Sequence, residues 1–159
     1  MGRIVTGFIA AMLAVVFFHQ PIGLLCKYLG LIPQFNAYSM AAHATAVPAV
    51  AAFFKGLGFA GWPVMFNNLF WGGLLGGLFG LINHKLPSGI MMVKGLIFGL
   101  IVVVVSNWLL LPFIQDLRGI PNQVYFAGFN PMRMLAGAMI VGGFGLGTGL
   151  FYGILRRNA

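Results

Sequence analysis

Asn67 to Asn83 reads NNLFWGGLLGGLFGLIN, a run so apolar that it reads as a helix, yet it sets glycine at positions 72, 73, 76, 77 and 80. In water, each interior glycine costs a helix about 1 kcal/mol relative to alanine. In a bilayer the balance changes. Lipid gives two helices no hydrophobic reason to meet, so they associate through van der Waals contact, and small residues let their backbones approach. A helix in hydrocarbon also cannot solvate its backbone elsewhere, which lessens the penalty on glycine. Gly72, Gly76 and Gly80 lie four apart on one stripe, with Gly73 and Gly77 beside it. Gly145, Gly149 and Gly153 repeat the device beside Gly143 and Gly147. The simplest expectation is that the two glycine-striped helices pack on each other, or on a second copy. A glycine-lined pore or ligand crevice is the alternative.

Composition names the solvent. Of 159 residues, 60% are hydrophobic and only 6% charged, with a mean hydropathy of +0.99. A water-facing exterior carries about a quarter of its residues as charges, so the surroundings are lipid. Nine Lys and Arg against one acid, Asp116, give a formal charge of +8. These charges stand singly at the edges of apolar runs, as membrane flanks do, and nucleic acid is not an expected partner. Cys26 is the only cysteine, so an internal disulfide and a cysteine-based metal cage are excluded. The start, MGRIVTGFIAAMLAVVFF, resembles a signal peptide in its basic residue and apolar run. It continues into FFHQPIGLL without a small-x-small cleavage pattern and is read as a retained helix.

A spanning helix needs about 20 apolar residues to cross about 30 Å of hydrocarbon. Four segments qualify: Ile4 to Leu25, Trp62 to Ile82, Ile90 to Ile114 and Met132 to Leu155. The fold expected is an all-α, polytopic transmembrane bundle of four helices in one integral membrane domain. The first connection is long and apolar, but Pro48 and Lys55 interrupt it. Val47 to Phe54 reads as a short re-entrant or interfacial helix, with a fifth span as the alternative. Four spans put both termini on one side. Arg3, Lys85, Lys94, Arg156 and Arg157 fall on that side, and Lys27, Lys55, Arg118 and Arg133 on the other. The terminal arginine pair and the short basic hairpin NHKLPS (83–88) between the second and third spans tip the termini toward the cytoplasm.

An internal repeat is faintly visible. The segment from Val5 lies over that from Val93, matching Gly7 to Gly95 and Ile9 to Ile97, while Gly77-Leu78-Phe79 can be laid over Gly149-Leu150-Phe151. A parallel two-helix duplication would follow, as in some transporters. Low-complexity apolar sequence also yields such matches by chance.

Polar residues recur at one depth. His19 and Gln20 sit about six residues before the end of the first span, Asn67 and Asn68 about six after the start of the second, and Ser106 and Asn107 about seven before the end of the third, so all lie about 8 to 10 Å below the noncytoplasmic face. The structural expectation is that they bond to one another across the helices. The functional one is a site for a lipid headgroup, quinone or small solute. Pro21 also frees a carbonyl near Phe17 for a neighbouring side chain to satisfy. Haem would need two imidazoles facing across the bundle, and only His19 with His43 could pair. No cofactor and no metal site are expected. The GFGLGTG phrase lacks the strand setting that a nucleotide loop requires.

At FFHQP, NLFWGGLLGG and FGLGTGL the chain resembles a loose group of uncharacterised small four-helix bacterial membrane proteins. These carry His-Gln near the end of helix one, Trp-Gly-Gly in helix two and Gly-Leu-Gly-Thr-Gly in the last helix. The resemblance implies a bacterial cytoplasmic (inner) membrane and no particular activity. The NAYSMAAHATAVPAV loop departs from the shorter, more proline-rich connection of that group. No nucleophile has a base beside it, no carboxylates pair and no metal spacing occurs. The reading is therefore a noncatalytic membrane protein, an accessory or structural subunit within a larger complex, touching lipids and a membrane-protein partner or its own copies. A small transporter or channel is the alternative, and a lipid-acting enzyme comes third.

Overall fold

Each of the four long apolar segments folds as one helix in the computed structural model, which describes residues 2–43 and 47–157. In chain order the elements are α1 (Arg3–Tyr28), the short α2 (Pro48–Gly56), α3 (Val64–Lys85), α4 (Met91–Leu117) and α5 (Pro131–Arg157). All but α2 are long and apolar enough to cross a membrane, so the all-α spanning bundle holds. The α2 helix has nine residues and cannot span, which removes the fifth-span alternative for the part described; residues 44–46 lie outside the described residues.

Local chemistry sets the helix ends. Pro63 is extended at the N-cap of α3 (φ −67°, ψ 140°), so the helix begins two residues later than Trp62. Asn130 caps α5, its Oδ1 accepting from the backbone N–H groups of Met132 (3.0 Å) and Arg133 (3.2 Å), while Pro131 occupies the first turn, where a missing N–H costs nothing.

In the bundle, α1 lies between α3 and α5, and α5 lies between α1 and α4. The two glycine stripes therefore do not pack on each other, contrary to the simplest expectation from sequence. The α3 stripe packs on α1: a Cβ on Gly76 would strike the Gly7 carbonyl oxygen and Ala11 Cβ, and one on Gly80 the Arg3 carbonyl oxygen. The α5 stripe packs on α4: a Cβ on Gly145 would strike the Gly95 carbonyl oxygen, and one on Gly149 the Met91 carbonyl oxygen. Gly72 abuts the side chain of Val15, and Gly73 that of Phe8. Gly153, expected on the stripe, is not a close approach, since a Cβ there would meet Met91 Cβ at an ordinary 3.5 Å. The reason for the different pairing is that the partners are small as well. Thr6, Gly7, Ala10, Ala11 and Ala14 form the buried wall of α1, and Gly95 and Gly99 that of α4. A glycine stripe fits closest against another thin surface. The second glycine line of α5 faces α1 instead, where Phe18 fills the notch at Gly147 and Ile22 the notch at Gly143.

These contacts bring the internal repeat into register. Arg3, Gly7 and Ala11 contact Gly80 and Gly76; moved 88 places along the chain, the first three become Met91, Gly95 and Gly99, and their partners are Gly149 and Gly145, 69 places on. The matching of the first and third spans is the one read from sequence. The matching of the second and fourth is corrected from Gly77 over Gly149 to Gly76 over Gly145 and Gly80 over Gly149. The repeat extends to backbone irregularity, because α1 widens into a π-helical turn at Val15–His19 and α4 into a longer one at Val103–Leu110, again starting 88 residues apart. A proline follows two residues after each, Pro21 and Pro112. The two hairpins, α1–α3 and α4–α5, are thus two versions of one unit. They join along α1 and α5 around Ala10, Ala14, Phe79, Phe98, Phe144 and Tyr152.

Overpacking at a close contact costs about 1–3 kcal/mol, so Gly76→Ala and Gly145→Ala should each destabilise the bundle by that much in detergent unfolding. Gly153→Ala should be neutral or slightly stabilising in the same measurement.

Candidate functional site

The end of α1 carries the densest polar structure on the expected noncytoplasmic side. Within its π turn the Gln20 amide donates to the Val15 carbonyl, five residues back. In that register the next donor, to Val16, belongs to residue 21, a proline without an N–H. The Val16 carbonyl is satisfied from outside the helix: the Tyr38 hydroxyl donates to it at 2.9 Å. Sequence reasoning placed the freed carbonyl near Phe17; it is one residue earlier because the π turn lengthens the ring by one. Gln20, almost wholly buried, accepts from the Tyr38 backbone N–H at 2.9 Å and gives its amide to His19 Nδ1 over a long 3.4 Å. His19 lies half-buried against the Phe35 ring, centroids 6.2 Å apart, and Phe35 also covers Gly23, where a Cβ would strike it.

Residues 29–43 thereby form a strap from α1 to α3. Its far end supplies the carbonyls of Ser39 and Ala41 to the first free amides of α3, Met65 (2.9 Å) and Val64 (3.0 Å), and the His43 amide donates to the Trp62 carbonyl at 2.7 Å. The helix start is capped by backbone instead of a side chain. Trp62 Nε1 donates to Asn67 Oδ1 at 3.1 Å, and around Trp62 stand the rings of Phe54 and Phe70, with Phe59 and Phe66 against Phe54. This aromatic group ties α2 to α3 beside Lys55, as at a membrane interface.

Among the described residues, the six polar residues expected to bond to one another across the helices do not do so. His19 and Gln20 touch each other and the strap, and Asn67 bonds within its own segment to Trp62. Asn68 and Ser106 are half-buried, Asn107 is exposed, and among the described residues none of these three side chains makes a hydrogen bond. The physical reason is the order of the helices. With α1 and α5 in the middle, α3 and α4 meet through Phe79 and Phe98 (5.4 Å), well along the chain from Asn68 and Asn107.

A buried polar group that the sequence did not single out joins the hairpins at the other end. Asn83, 6% exposed, directs its Nδ2 to the Tyr152 hydroxyl (3.2 Å) and to the carbonyls of Gly80 (2.8 Å) and Phe79 (3.1 Å). Arg156 donates to the same hydroxyl at 3.4 Å. Asn83 closes an apolar run just before His84-Lys85 and reads from sequence as part of the hydrated hairpin. In the loop between α4 and α5, Tyr125 donates to the Asp116 carboxylate, and that bond, with desolvation and the carboxylate charge, holds the Tyr125 phenol above its ordinary range.

Among the described residues no three His, Cys, Asp or Glu side chains gather where they could hold a metal. Cys26 is buried against Ala136 and Ile140. The arrangement around His19, Gln20 and Tyr38 fastens a strap over a broken helix, with its polar atoms turned to one another. The chain matches no known protein-family model, no curated protein and no solved structure.

Removing the Tyr38 hydroxyl leaves the Val16 carbonyl without a donor, which should cost about 1–3 kcal/mol in Tyr38→Phe. Restoring the missing N–H with Pro21→Ala should make the same substitution nearly neutral, and a double-mutant cycle on unfolding free energy reads the difference.

Proposed function

We propose that the protein is a noncatalytic subunit of a larger membrane assembly, held in a bacterial cytoplasmic membrane with both termini on the cytoplasmic side. One observation carries this reading. Asn68, Ser106 and Asn107 lie on helices of membrane-crossing length, and among the described residues their side chains have no hydrogen-bonding partner. In hydrocarbon an amide or hydroxyl without a partner costs several kcal/mol on the cyclohexane scale, so such groups are expected where protein covers them. The interior supports packing over passage, because its centre is filled by alanine, glycine and interlocked aromatic rings. The neighbouring polar groups of α1 and α3 serve to hold the strap.

A transport reading draws on the duplicated hairpin, since parallel repeats occur in transporters. Its alternating states would require the α1–α5 seam to open, where Phe18 and Ile22 sit in glycine notches. The packing reading needs no such motion.

Mild-detergent purification from native membranes tests the proposal. The expected result is a complex of fixed stoichiometry with a second protein, and no solute flux after reconstitution in liposomes. A particle that conducts a solute selectively would replace this reading with the transport one, and isolation solely as a lipid-wrapped monomer would end it.

A further inference from the structure

The register of the two hairpins identifies a position that is covered in one and bare in the other. Asn107 stands 88 residues after His19, so the two are counterparts, each within a π-helical turn ahead of a proline. The backbone defect recurs too. The Leu111 amide reaches the Ser106 carbonyl, five residues back, and the next donor in that register, to the Asn107 carbonyl, would come from Pro112, which has none. In the first hairpin the freed carbonyl is that of Val16, 91 residues before Asn107 and so three places out of the 88-residue register; there the strap covers both groups, Tyr38 satisfying the Val16 carbonyl and Phe35 lying on the His19 ring. The corresponding loop of the second hairpin lays Tyr125–Phe129 against Val103–Leu110, but its Tyr125 hydroxyl goes to Asp116 and, among the described residues, none of its side chains bonds Asn107. Asn107 is left exposed, with no side-chain hydrogen bond.

We propose that this part of α4 is covered by α4 of a second copy of the chain, with the Asn107 carboxamides of the two copies bonded to each other across a two-fold axis along the membrane normal. Three considerations favour a second copy. A carboxamide is both donor and acceptor, so it is complementary to itself. Two copies inserted in the same orientation carry Asn107 at the same depth, and an isologous contact near the axis brings equal residues together. The preceding turns of α4 also offer a shallow, open apolar face of Ile97, Leu100, Ile101, Val104 and Val105, surface for a neighbouring helix to lie against. Polar side chains in lipid pair across helices in this way. The inference rests on the packing reading only in taking the bare amide as covered by protein.

The test is a single-cysteine scan of positions 100–114 in a Cys26→Ala background, cross-linked in native membranes with a short bifunctional thiol reagent. The expected product is a dimer of this chain, most abundant within one turn of residue 107 and absent for a control cysteine at Leu78 on α3. Adding Asn107→Leu should lower the dimer yield about fivefold, and Asn107→Gln should keep most of it. Circular dichroism of both variants should match the parent, since the Asn107 side chain makes no hydrogen bond among the described residues. A dimer yield unchanged by Asn107→Leu, or a uniform yield across the scan, overturns the proposal. Cross-linking near residue 107 to a different polypeptide overturns the second copy and leaves the packing reading standing. Failure to reach any protein overturns both.

Discussion

Main chain touching main chain at glycine is the constraint from which the rest of this bundle follows. At Gly7 with Gly76, and again at Gly95 with Gly145, a single methyl group would already strike a carbonyl oxygen of the facing helix. In water that closeness would be one packing solution among several, because burying any apolar face rewards association. In lipid the reward is mostly the contact itself, and contact is closest where side chains are smallest. Each hairpin is drawn shut along one half of its length by such approaches, two in the first (Gly7 with Gly76, Gly80 with Arg3) and three in the second (Gly95 with Gly145, Gly99 with Val141, Gly149 with Met91). Once shut, it presents larger side chains outward, and the hairpins then join through a different geometry, with Phe18 and Ile22 seated in the second glycine line of α5.

The same constraint accounts for the irregular halves of α1 and α4. Close approach is confined to the expected cytoplasmic half of each hairpin, between Arg3 and Val15 on one side and between Met91 and Val103 on the other. Beyond it each helix widens into a π turn and meets a proline, leaving a carbonyl to be satisfied elsewhere. In α1 that need fixes the strap, and the strap in turn caps the first amides of α3. A helix break and a helix cap thus depend on one loop. In α4 the loop also packs on the π segment, through Tyr125–Phe129, but its tyrosine hydroxyl is committed to Asp116 and Asn107 stays exposed.

Much of this was legible in the residues. Length and hydropathy were enough for the four spans, because crossing hydrocarbon leaves few alternatives to an apolar helix of about 20 residues. The spacing of Gly72, Gly76 and Gly80 announced close packing. Which helix they pack on was not legible, since that depends on the thinness of the partner as much as on the stripe, and Gly7, Ala11, Gly95 and Gly99 are scattered too sparsely to stand out. Pro21 marked a freed carbonyl, but a π turn has no clear sequence signature, so the residue was displaced by one. The shared layer of amides failed for a topological reason. Equal depth does not make two helices neighbours, and α3 and α4 are the pair that the helix order separates. Asn83 was missed because a residue beside His84-Lys85 looks hydrated, whereas Tyr152 reaches it from α5.

The central claim concerns backbone proximity in two places at once, and solid-state NMR on uniformly carbon-labelled protein in lipid bilayers measures it directly. The account predicts through-space cross-peaks between the α-carbon of Gly7 and the carbonyl of Gly76, and a matching pair between Gly95 and Gly145. Absence of both pairs, with Gly76 and Gly145 showing contacts to lipid acyl chains instead, would contradict it.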